Sequence, residues 1–106
     1  MNTDSAFVAA VETLLKREIE RVSELSFTEI EALPSANSIE VTIEHCHCSL
    51  CSFMQRTSAT ECLVVVQVSK PNHLGLSSRH WEHGVIFAKD GATRVATPQE
   101  LLATGG

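Results

Sequence analysis

Tyrosine is absent from this chain of 106 residues, and tryptophan occurs once. Aromatic residues make up only 5% of it, so an aromatic platform for stacking nucleic-acid bases is poorly supported. Glycine (five) and proline (three) are scarce, which rules out collagen-like and low-complexity chains. The longest strongly apolar run, Cys62–Val66, is far too short to cross a bilayer. The chain opens with no basic segment leading into an apolar run, so no secretory signal is read and a cytoplasmic location is expected. The glycine-rich phosphate loops and the Gly-x-Ser-x-Gly nucleophile turn are missing as well.

Hydrophobic residues are 43% of the chain and charged residues 20%, enough apolar material to offset the entropy of ordering. At this length one α+β domain over residues 1–106 is expected. The net charge of −5 is uneven. Residues 1–44 carry nine acids against three bases, and residues 45–106 carry four acids against five bases. An acidic half repels phosphate backbones, which makes a nucleic-acid partner unlikely and a protein partner or self-association the better expectation.

Phe7, Val8, Val11, Leu14, Leu15, Ile19 and Val22 repeat at three- and four-residue spacing, which predicts a helix from about residue 5 to 25. Ser26-Phe27-Thr28-Glu29 has capping-box spacing, so a helical turn follows until Pro34. Residues 34–37 read as a linker. Ile39, Val41 and Ile43 alternate with Glu40, Thr42 and Glu44, the pattern of a half-buried strand. Residues 61–69 (ECLVVVQVS) predict a more deeply buried strand. Residues 49–60 are ambiguous, because Leu50, Phe53 and Met54 also suit one side of a short helix. Asp90-Gly91 between residues 85–89 and 92–96 predicts a hairpin with a two-residue type I′ turn. Thr97-Pro98-Gln99-Glu100 combines a cap, a proline at the first helical position and an acid, so a short C-terminal helix is expected. The sum is a long N-terminal helix packed on one face of a mostly antiparallel sheet of about four strands.

His45-Cys46-His47-Cys48-Ser49-Leu50-Cys51 concentrates thiols and imidazoles, the ligands zinc prefers. Cys46, Cys48 and Cys51, with Cys62 or a loop histidine as a fourth, are the candidate metal ligands. No second Cys/His pair at matching spacing completes the pattern. If one strand runs on through Cys48, then Cys46 and Cys48 share the face of Glu40 and Glu44, while His45 and His47 continue the apolar face. Cysteine also behaves as a small hydrophobe, and Cys62 falls in line with Val64, Val66 and Val68 as core filling. The segment Cys46–Cys51 resembles the central Cys-x-Cys-x-x-Cys of the small zinc proteins related to the glutathione-dependent formaldehyde-activating enzyme. The chain lacks that family's early Cys-x-Cys and late Cys-x-x-Cys and begins with a long helix, so neither its fold nor its activity carries over.

Residues 70–84 (KPNHLGLSSRHWEHG) show no periodicity and read as a long loop. The loop holds the candidate partner-binding residues Arg79, His80, Trp81, Glu82 and His83, since Trp and Arg are enriched at binding hot spots. A lone Trp also anchors a loop by packing its ring on the core. The leading expectation is a small non-enzymatic protein that acts by protein–protein interaction, as an adaptor, regulator or inhibitor. Beside it stand a zinc-binding protein built on the 45–51 cluster, and a zinc-dependent or thiol enzyme using that cluster with Glu82 as acid/base.

Overall fold

In the computed structural model, the described residues are 3–71, 78–97 and 99. The N-terminal amphipathic segment forms helix α1 (Thr3–Ser23), close to its expected bounds. Phe7, Val11, Leu15 and Val22 form its buried stripe. The capping box forms as expected: Glu29 N–H donates to the Ser26 hydroxyl, and Ser26 N–H donates to the Glu29 carboxylate. It opens helix α2 (Phe27–Glu31), whose Ile30 turns into the core.

Five strands follow: β1 (Ala36–Ile43), β2 (Cys46–Ser58), β3 (Glu61–Pro71), β4 (Ser78–Ala88) and β5 (Thr93–Val95). They form one antiparallel sheet in the order β1-β2-β3-β4-β5, a meander in which each strand pairs with its chain neighbours. The α+β class and the helix-on-sheet arrangement are as expected; the strand count is higher. Residues 49–60 are not helical, because Leu50 and Met54 face the core at strand spacing while the backbone pairs with β1 on one side and β3 on the other. The expected 70–84 loop is also corrected. Lys70 and Pro71 belong to β3, and residues 78–84 belong to β4, paired from Pro71↔Ser78 to Val65↔Gly84. The expected C-terminal helix falls on residues that lie almost wholly outside those described.

Two turns differ from expectation. At Asp90-Gly91 the loop has three residues. Gly91 N–H donates to the Ala88 carbonyl (3.0 Å), Ala88 N–H donates to the Ala92 carbonyl (2.8 Å), and among these only Gly91 takes a positive φ, +95°. That is a type I turn followed by a left-handed glycine, not type I′. The type I′ form falls instead at Glu44-His45, with φ of 48° and 67°, where Ile43 pairs with Cys46 across a two-residue loop.

The helices cover one face. Phe7, Val11 and Leu15 pack on Ile43, Cys48, Leu50, Val66 and Val68. Val22 and Ile30 pack on Cys62, Val64 and Phe87. The opposite face also holds a buried group: Leu63, Val65, Ile86 and Ala96, with Phe53 beside them. Burial on both faces explains why β3 reads as a near-continuous apolar run rather than an alternation.

Candidate functional site

The Glu44-His45 turn decides how the cysteine cluster is arranged. A two-residue reversal restarts the alternation, so Cys46 and Cys48 follow Val41 and Ile43 onto the helix-covered face. His47 goes to the other face, where its Nε2 pairs with the Glu40 carboxylate. This corrects the expected placement, which ran one uninterrupted strand through Cys48. Cys48 is buried, and its thiol reaches the Cys46 carbonyl at 3.6 Å. Cys51 lies three residues on, an odd step along a strand, and so points to the opposite face. There its thiol meets the Ser38 hydroxyl at 3.5 Å. Cys62 is buried in the other helix-side cluster, among Val22, Ile30, Val64 and Phe87. Burial pushes the thiols of Cys48 and Cys62 above the ordinary range. Neighbouring Cys46 adds to the effect at Cys48, and Glu31 adds to it at Cys62. Among the described residues, no three Cys, His, Asp or Glu side chains gather where one ion could be held.

The candidate partner-binding residues are similarly divided. Arg79 and His80 sit at register positions opposite Lys70 and Ser69 in the β3–β4 ladder. Trp81 turns to the helix side, its ring 5.3 Å from that of Phe7 at 59°. Lys70 Nζ stands 4.7 Å from the Phe7 ring on the same cluster. Glu82 faces the other way and accepts from the Gln67 amide at 3.2 Å. His83 returns to the helix side and meets Glu12 of α1 at 2.9 Å. Trp81 is half-buried against the helix-side cluster, while Glu82 and His83 point to opposite faces. Among the described residues no polar or charged residue is buried.

The edges of the sheet are a feature the sequence pattern did not single out. β1 and β5 are the two edges of the sheet. β5 is only three residues long and carries the 78%-exposed Val95. Short edges of this kind resist strand addition. β1 has eight residues, no Lys, no Pro and no bulge in its pairing with β2. Just before it, Met54 N–H donates to the Ser35 carbonyl at 3.1 Å. Ser35 and Met54 continue the β1–β2 register, so odd-numbered residues of β1 bond to β2. The backbone N–H and C=O groups of Ala36, Ser38, Glu40 and Thr42 consequently point away from the sheet. Ile39, 51% exposed, lies midway along this edge.

Compared with known proteins, the chain matches no family model, no curated protein and no solved structure.

Proposed function

We propose that this is a non-enzymatic interaction protein that works by self-association, with β1 as its contact. The observation that carries the reading is the long open edge: four residues with outward backbone groups around an exposed isoleucine, with Glu40 as its one charge. Such an edge is a template for another strand, and a second β1 supplies one.

The pattern favours one register. Antiparallel pairing centred on Ile39 sets Ser38 opposite Glu40 and Ala36 opposite Thr42, each pair exchanging two backbone bonds. Ile39 then lies against its own copy at the non-hydrogen-bonded centre, where cross-strand side chains approach closest. Centring on Glu40 would set two carboxylates face to face, which is unfavourable. The favoured register joins two sheets into one and keeps both α1 helices on the same side.

Glu40→Pro tests the reading. Proline removes one outward N–H and is tolerated on an edge whose N–H faces out. Sedimentation equilibrium of the full chain at tens of micromolar should give twice the monomer mass, and the variant should give the monomer mass with an unchanged circular dichroism spectrum. Monomer mass for both proteins up to millimolar concentration would contradict self-association through β1.

A further inference from the structure

The helix-facing row of β2 reads Cys46, Cys48, Leu50, Ser52, Met54. Ser52 is the smallest member of that row and leaves space under α1. Its register neighbours are Asn37 on β1 and Val66 on β3. The result is a recess of about 240 Å³ between the C-terminal half of α1 and strands β1–β3. Val64 and Val66 floor it, Met54 and Leu33 wall it, and Val22 roofs it. Ser52, Asn37 and Arg21 contribute the polar part of its lining.

Three features suit these residues to an anion. The Ser52 and Asn37 side chains make no hydrogen bond to another described residue and stay accessible from solvent. Arg21 is held in place rather than occupied: its Nε and Nη2 both donate to one oxygen of Glu18, at 3.2 and 3.0 Å. A guanidinium has five N–H donors, so its other edge remains able to bind a second carboxylate. The apolar part is large enough for a hydrocarbon body, since a dry apolar cavity of about 150 Å³ accommodates a benzene ring. At about 240 Å³ the recess is smaller than the pockets that take drug-sized ligands, so it suits only a small one.

We propose that this recess binds a small monocarboxylate with an apolar body, the body against Val64 and Val66 and the carboxylate against Arg21, Asn37 and Ser52. The proposal does not rest on association through β1, although Asn37 belongs to that strand.

Benzoate and benzyl alcohol share the ring and differ in charge, which makes them the probes for a methyl-detected NMR titration of the full chain. Benzoate should shift the methyl signals of Val64, Val66 and Met54 in a saturating manner, and benzyl alcohol should bind about tenfold more weakly because it lacks the charge-assisted bond. Arg21→Gln, on an exposed side chain, should bring benzoate down to the alcohol's affinity. Ser52→Leu, which fills the recess, should abolish binding of both and raise the melting temperature. No saturable shift at those methyls would overturn the proposal. So would equal affinities that Arg21→Gln leaves unchanged, or a Ser52→Leu protein that melts lower and still binds benzoate.

Discussion

Glu44 and His45 hold left-handed backbone conformations that L side chains disfavour. The β1–β2 register imposes them, because Ile43 and Cys46 must pair across two residues. The double substitution Glu44→Asn/His45→Gly supplies the asparagine and glycine that type I′ turns prefer. Urea denaturation should show a gain of about 1–2 kcal/mol, and a loss would mean that the turn is not type I′. At Cys48 and Cys62 the consequence is pH-dependent. Burial raises both thiols, so the folded chain keeps protons that the unfolded chain gives up. Native-bound protons then outnumber unfolded-bound ones above the ordinary thiol range, and stability falls as pH rises. The urea midpoint should therefore hold near pH 8 and drop toward pH 10, with a shallower drop in Cys62→Ala. Cys48→Ser is expected to destabilise the fold whatever the protein's function, because it puts a hydroxyl into an apolar cluster.

Among the elements, those whose signals are local were legible in the sequence. The apolar stripe of α1 and the capping box of α2 each lie within one segment. Ser26→Ala should cost about 1 kcal/mol by removing the cap. Leu15→Ala should cost about 2–5 kcal/mol, since Leu15 is fully buried under the sheet-facing side of α1. Thermal denaturation followed by circular dichroism checks both, and their order should not invert. The long strands were harder to read. The alternation of β4 is hidden because His83 and Glu82 take positions that look like loop chemistry, yet their partners are Glu12, 71 residues away, and Gln67 on β3. The cysteine cluster was visible, but its geometry depends on the turn at Glu44-His45, which reverses the faces of everything after it. The open edge of β1 follows from strand order, and no local pattern encodes that order.

At the scale of the whole molecule, a meander has two edges, and here they are unequal. β5 is blunted by its length, whereas β1 presents a run long enough to build another strand pair. No described helix is long and apolar enough to span a membrane. Each chain carries a net charge of −5, so two copies repel and association strengthens as salt is raised, while the Ile39-centred register keeps Glu40 beside Ser38 rather than beside another carboxylate. The most direct test of association through β1 is amide hydrogen exchange of the full chain at high and low concentration. The amides of Ser38, Glu40 and Thr42 should exchange slowly at hundreds of micromolar and rapidly at low micromolar, while Ile39 and Val41, bonded within the sheet, stay protected at both. Rapid exchange of Ser38, Glu40 and Thr42 at every concentration would contradict it.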